Sequence, residues 1–91
     1  MAERLQFEWD VANTDHLARH GVKSVEAEQV IANDPLEIES NLRKGELRSV
    51  CLGRTDSGRP LSVVYTIRSN RIRVVTAYPM KRKKRKIYES R

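Results

Sequence analysis

Arginines are the side chains in this sequence best suited to hold a phosphate. Arg48, Arg68 and Arg73 each lie in or beside a run of strand-forming residues. A guanidinium presents a planar fork of donors that matches phosphate oxygens. Arginine, tyrosine, histidine, lysine and glutamate together supply what RNA cleavage through a 2′-hydroxyl needs. Such cleavage takes a base for the hydroxyl, charge stabilisation at the phosphate and an acid at the leaving oxygen. The same arginines could instead pair with Glu37, Glu39 and Glu46 as surface salt bridges. His16 and His20 stand four apart, on one helix face, a spacing that could hold a metal. No third ligand stands nearby in the sequence and H-E-x-x-H is absent, so neither a metal nor a cofactor is expected. The four glycines are scattered and form no phosphate-cradling loop.

The elements that must position these residues follow from the pattern. Leu5 to Trp9 alternates as a short strand, ended by Asp10. Asn13 suits a helix N-cap, and that helix is expected to run to about His20, with Gly21 in a left-handed C′ position. Ser24 suits a second N-cap, with Ala27, Val30 and Ile31 on one apolar stripe. Asn33-Asp34-Pro35 stops that helix. Strands are expected over Leu36–Ser40, Leu47–Arg54, Leu61–Arg68 and Arg71–Tyr78, with a polar loop from Asn41 to Glu46 and a tight Ser69-Asn70 hairpin turn. After Pro79 the chain reads as a short basic helix. This predicts one α+β domain over residues 1–91, an antiparallel sheet with two helices packed on one face.

Strict alternation sets Leu61, Val63, Tyr65 and Ile67 toward the helices and Ser62, Val64, Thr66 and Arg68 on the open side. In the last strand, Ile72, Val74, Thr76 and Tyr78 alternate with Arg71, Arg73, Val75 and Ala77. The expected core is Trp9, Val30, Ile31, Val63, Tyr65, Ile67 and Val74.

Composition narrows the function. The chain has 91 residues, a 38% apolar share, a 33% charged share and a net charge of +6. The charge is unevenly placed. Residues 1–47 carry 5 Lys/Arg against 10 Asp/Glu, a net of −5, and residues 48–91 carry 13 against 2, a net of +11. Lys81, Arg82, Lys83, Lys84, Arg85 and Lys86 are consecutive, and the run suits an RNA backbone or an acidic partner. Cys51 is the one cysteine, which excludes an internal disulfide, and its apolar neighbours suit a small core residue. No stretch approaches membrane-helix length. Met1-Ala2-Glu3-Arg4 leads into no long apolar segment, so no signal peptide and a cytoplasmic location are expected.

An ordered set of motifs adds a family. Phe7-Glu8-Trp9-Asp10, Ala18-Arg19-His20-Gly21-Val22, Glu26-Ala27, Asp34-Pro35, Gly45-Glu46-Leu47-Arg48, Gly53-Arg54-Thr55, Val63-Val64-Tyr65-Thr66-Ile67-Arg68 and Ile72-Arg73-Val74-Val75-Thr76-Ala77 are followed by a basic stretch ending at Tyr88. Across nearly its whole length the chain resembles the BrnT family of bacterial type II toxins. The resemblance implies a RelE-like ribonuclease fold, RNA as substrate, and an antitoxin partner with a ribbon-helix-helix or similar DNA-binding domain. The family's Tyr-x-x-Arg and G-E-x-R motifs match Tyr65 with Arg68 and Glu46 with Arg48. Arg48 and Arg68 are expected to bind or stabilise the scissile phosphate, with Glu46 orienting Arg48 and His20, the side-chain type that titrates near neutrality, for acid–base work. Tyr78 stands where the family usually has an arginine, offering a hydroxyl without the charge. Lys84 stands where it usually has a glutamate. Arg73 and residues 81–86 would contact RNA. A different class of function, a non-catalytic module that binds nucleic acid or protein, fits the same basic surface.

Overall fold

The computed structural model describes residues 5–91. It has three helices, α1 (Val11–Ala18), α2 (Ser24–Ala32) and α3 (Arg82–Glu89), and four strands, β1 (Leu36–Arg43), β2 (Glu46–Arg54), β3 (Pro60–Arg68) and β4 (Arg71–Pro79). The strands form one antiparallel sheet in chain order, β1-β2-β3-β4. The α+β class and the pair of helices on one face agree with the sequence reading. Among the described residues no helix is long and apolar enough to cross a membrane. The expectation placed on Met1 to Arg4 lies outside the described residues.

The expected strand at Leu5–Trp9 is instead a single parallel bridge, Phe7 to Ile72. Glu8 N donates to the Ile72 carbonyl at 2.9 Å and Ile72 N donates to that of Gln6 at 2.8 Å. The chain then turns away because Asp10, not Asn13, caps α1. The Asp10 carboxylate accepts from Asn13 N at 3.0 Å, and Asn13 Oδ1 accepts from Asp10 N at 2.8 Å. This reciprocal box satisfies two orphan amides of a helix too short to persist alone. Buried Asn13 also donates Nδ2 to the carbonyls of Glu8 at 3.0 Å and Val74 at 3.2 Å, fastening α1 to β4. The helix stops at Ala18, and Gly21 takes its expected left-handed conformation at φ 70°.

Helix α2 begins one residue earlier than expected relative to its cap, with Lys23 in the N-cap position and Ser24 inside the helix. Glu26 accepts from Lys23 N at 3.0 Å and from Arg59 Nη1 at 2.9 Å, so one carboxylate holds both the helix start and the β2–β3 loop. The Lys23 amide, followed by Arg59, holds the Glu26 carboxyl below its ordinary value. Close approach of α2 to β2 depends on Gly53, where an added Cβ would lie 3.0 Å from Val30 Cγ1.

The β1–β2 connection is tighter than the expected loop. Lys44 and Gly45 have φ of 49° and 78°, and Ser69 and Asn70 have 52° and 62°. Positive φ at both central residues matches the strand twist, so both hairpins close in two residues. The sheet's hairpin end is therefore compact.

Between sheet and helices lie Leu17, Val22, Ala27, Val30, Cys51, Leu61, Val63, Val74 and Ala77, with Trp9, Ile31, Tyr65 and Phe7 packed around them. Val30, Val63 and Val74 are buried as expected, while Trp9, Ile31 and Tyr65 are half-buried. Ile67 is 57% exposed, against expectation. It has the predicted facing, but its strand runs on past the ground covered by the helices.

The second correction is at β4. Val64 pairs with Thr76 but Tyr65 pairs with Val74, leaving Val75 as a bulge. The bulge shifts the alternation by one. Val74 and Ala77 both enter the core, and Thr76 and Tyr78 fall on the opposite face with Arg73. Nor is that second face wholly open. Helix α3 covers one end of it through Leu52, Met80 and Tyr88, with Leu36 and Ile38 alongside.

Candidate functional site

The uncovered end of the second face carries the arginines. Cross-strand pairing sets Arg48 beside Thr66 and Thr66 beside Arg73. Arg68 lies one step further on the same face. Ala12, Asn13 and His16 of α1 rise beside β4, and together with Glu46, Arg48, Thr66, Arg68, Arg73, Val74 and Val75 they line a cleft of about 200 Å³. A second hollow of about 500 Å³ is lined by His16, His20, Thr76, Tyr78, Pro79, Met80 and Lys81. His16 lines both, so the two form one groove along the edge of β4.

The three arginines differ in what holds them. Arg73 is 18% exposed and makes ion pairs with Asp10 at 2.9 Å and Glu8 at 3.6 Å. The Arg73 guanidinium holds the Asp10 carboxyl below its ordinary value, and Asp10 in turn raises that of Arg73. Arg73 thus ties the segment before α1 to β4. Arg68 donates to Glu46 from Nη2 at 3.0 Å and from Nε at 3.3 Å, with 51% of its side chain exposed. Exposed pairs of this kind are worth about 0–1 kcal/mol, so an anionic ligand can displace Glu46. Glu46 therefore bonds Arg68 rather than orienting Arg48. Arg48 makes no ion pair among the described residues, and its Nε is buried without a partner. Thr66 Oγ1, in the same cleft, is likewise buried without a partner, as is Thr76 Oγ1 in the adjoining hollow. A buried polar group left unpaired costs about 1–3 kcal/mol, which a ligand with acceptor oxygens would relieve.

At the far end of the groove the His20 and Tyr78 rings lie 5.8 Å apart, and the His16 and His20 rings stack at 6.3 Å. Lys84 Nζ lies 5.9 Å from the centre of the Tyr78 ring. The basic run is thereby split. Lys81 lines the hollow and Lys84 leans over Tyr78, whereas Arg82, Arg85 and Lys86 line a separate depression with Met80 and Glu89. Lys83 is exposed.

The structure therefore brings together Arg48, Glu46, Arg68 and Arg73 in one cleft and His20, Tyr78, Lys81 and Lys84 around the next. It leaves Arg82, Lys83, Arg85 and Lys86 outside both. Sequence reasoning missed Thr66, Asn13 and the central place of His16. The signal for His16 was its spacing from His20, which pointed only to a metal pair. Cys51 is a buried core thiol whose value burial pushes up to about 12, which removes it from nucleophilic chemistry.

A small α+β domain with a cationic cleft on the second face of its sheet is the class that fold and site define. The family model for "Ribonuclease toxin, BrnT, of type II toxin-antitoxin system" matches residues 9–84, and the chain belongs to that family. A search of curated proteins finds no match.

Proposed function

We propose that this chain is a RelE-like endoribonuclease toxin that cleaves RNA in the groove along β4 and is neutralised by a cognate antitoxin. The observation that carries this reading is one cleft lined by Arg48, Thr66 and Arg68, in which Arg48 Nε and Thr66 Oγ1 have no hydrogen-bond partner. Arg48 and Thr66 hold the scissile phosphate, and Arg68 joins them on release from Glu46. Fixed donors of this kind stabilise the charge that grows on phosphate oxygens in the transition state. Arg73, held by Asp10 and Glu8, supplies field and scaffold rather than a direct bond.

His16 lies where the two hollows meet and takes the proton of the 2′-hydroxyl. The 2′ oxygen attacks phosphorus, the bond to the 5′ oxygen breaks, and His20 with Tyr78 delivers a proton to that leaving oxygen. The products are a 2′,3′-cyclic phosphate and a 5′-hydroxyl. Lys81 and Lys84 hold the flanking backbone.

Purified protein freed of antitoxin, incubated with RNA and with DNA of the same sequence, tests the reaction. RNA fragments ending in 2′,3′-cyclic phosphate, with the DNA intact, are expected. RNA bound but never cut would instead assign the groove to a binding module.

A further inference from the structure

The two hollows that meet at His16 have unlike walls. The first is lined by three arginines and a glutamate, with Thr66 and Asn13 beside them, and such donors suit a phosphate. The second, of about 500 Å³, is lined by neither arginine nor carboxylate. Its walls are the rings of His16, His20 and Tyr78, with Pro79 and the buried thioether of Met80 alongside, and Lys81 is its one permanent charge. His16 and His20 are exposed and Tyr78 is half-buried, so these rings remain within reach of a ligand. The His16 and His20 rings are nearly parallel, 19° apart, with centres separated by 6.3 Å. The Tyr78 ring is tilted 57° to that of His20 at 5.8 Å. The three thus make a corner rather than a closed stack, and a corner offers ring faces and edges to a further planar ring. Tyr78 reaches this face because the Val75 bulge shifts the alternation of β4.

What fills the corner follows from what lies next to it. Each nucleotide of an RNA strand carries a planar base beside its phosphate. A phosphate held by Arg48 and Arg68 therefore brings a base to the adjoining hollow. Unstacked RNA bases lie on tyrosine and histidine rings, whatever their sequence. An acidic peptide would meet three rings there and a single fixed cation. In the reaction described above His20 and Tyr78 serve the leaving 5′ oxygen, so the hollow lies on the 3′ side of the cut.

We propose that the hollow bounded by His16, His20 and Tyr78 binds the unpaired nucleobase immediately 3′ of the scissile phosphate. The proposal rests on the ribonuclease reading above and adds to it a site for a base. Tyr78 then has two separable properties, a ring that stacks and a hydroxyl that gives a proton. Tyr78→Phe removes the second alone, and Tyr78→Leu removes both. A paired base would first have to be unstacked and flipped out, so the site favours single strands.

The test uses the full chain freed of antitoxin and a short single-stranded RNA of mixed sequence. The cut is mapped on the all-ribose strand. Affinity is measured by fluorescence anisotropy on the 2′-fluoro form, which lacks the attacking hydroxyl, with one abasic residue placed at each position in turn. An abasic residue directly 3′ of the cut should weaken binding about tenfold or more, and one elsewhere less than about threefold. Tyr78→Phe should keep this dependence on the base while cutting more slowly. Tyr78→Leu should lose it, binding intact and abasic strands alike, and His20→Ala, at an exposed position, should reduce it. Melting curves verify that the variants fold. An equal penalty at every position, or a penalty at one position that survives both Tyr78→Leu and His20→Ala, would overturn the proposal. So would variants that weaken antitoxin binding and leave the abasic penalty intact, which would assign the corner to the antitoxin. In a wild-type chain that cuts no RNA, one abasic-sensitive position abolished by Tyr78→Leu would uphold the base site and refute the cleavage reading alone.

Discussion

The two faces of the sheet are built from the same four strands, yet they end in opposite states. On the helix face the largest fully buried side chains are Leu17, Leu61, Val30, Val63 and Val74, each in apolar company. On the other face Ser62, Thr66 and Thr76 hydroxyls and Arg48 Nε are buried without partners. The first face stabilises by removing apolar area from water, whereas the second, beyond the end that α3 covers through Leu52, Met80 and Tyr88, keeps unpaired polar groups that cost stability. Stability and ligand chemistry are thus divided between faces, and mutations should divide in the same way.

The largest expected effect is on the second face. Arg68→Ala should lower RNA cleavage by on the order of 10²–10³ while leaving the melting temperature nearly unchanged, since it removes a ligand contact and an exposed ion pair. A folded Arg68→Ala protein that arrests growth as fast as wild type would remove Arg68 from the site. On the helix face the order reverses. Leu17→Ala should cost about 2–5 kcal/mol in urea unfolding, and Val63→Ala roughly 1–3 kcal/mol, through lost burial and residual cavities. An unchanged midpoint in both would mean the faces are misassigned.

Asn13→Ala sharpens the comparison, because Asn13 joins both regions. Its side chain closes the capping box that Asp10 opens at α1, fastens the helix to β4 and lines the cleft. A loss of about 1–3 kcal/mol is expected from its buried bonds, with reduced cleavage as His16 shifts. Stability lost with cleavage intact would show that α1 does not position the groove.

Acid should loosen both attachments of the helices to the sheet. Asp10 and Glu26 have folded values below their unfolded ones. Their contribution is therefore fully present above the ordinary carboxylate range near pH 4 and is lost as pH falls through the lowered folded values. Asp10→Asn should flatten the acid limb of a stability–pH curve, and an unaltered limb would discount the Arg73 pair. The smallest effect concerns salt. Lys81→Gln with Lys84→Gln should flatten the salt dependence of RNA binding by about 0.7 per lost phosphate contact, more than Arg85→Gln with Lys86→Gln. Equal slopes in the two pairs would make the basic helix a uniform patch.

Much of this arrangement was legible in the sequence because it follows from short-range rules. The β-branched run in Leu61–Arg68, the Ser69-Asn70 turn and the Gly21 helix stop each depend on a few neighbouring residues. The Val75 bulge did not show, since nothing local distinguishes Val74-Val75 from regular strand. Yet it is the bulge that sets Tyr78 and Arg73 on one face. The exposure of Ile67 was equally hidden, because it depends on where α1 and α2 stop rather than on its own strand. Asp10 was read as a strand terminator when its reciprocal bonds with Asn13 make it a cap. The arginines were found from their chemistry alone, but their roles differ by which carboxylates lie near, which is a matter of tertiary placement.

The claim that the second face is the RNA site is tested most directly at Arg48, whose buried Nε lacks a partner. The measurement is the single-turnover cleavage rate of a defined RNA by wild type, Arg48→Lys and Arg48→Ala, each verified as folded by circular dichroism. Loss of the fork should slow Arg48→Lys substantially, and Arg48→Ala should fall by on the order of 10²–10³. Wild-type rates in both folded variants would contradict the account.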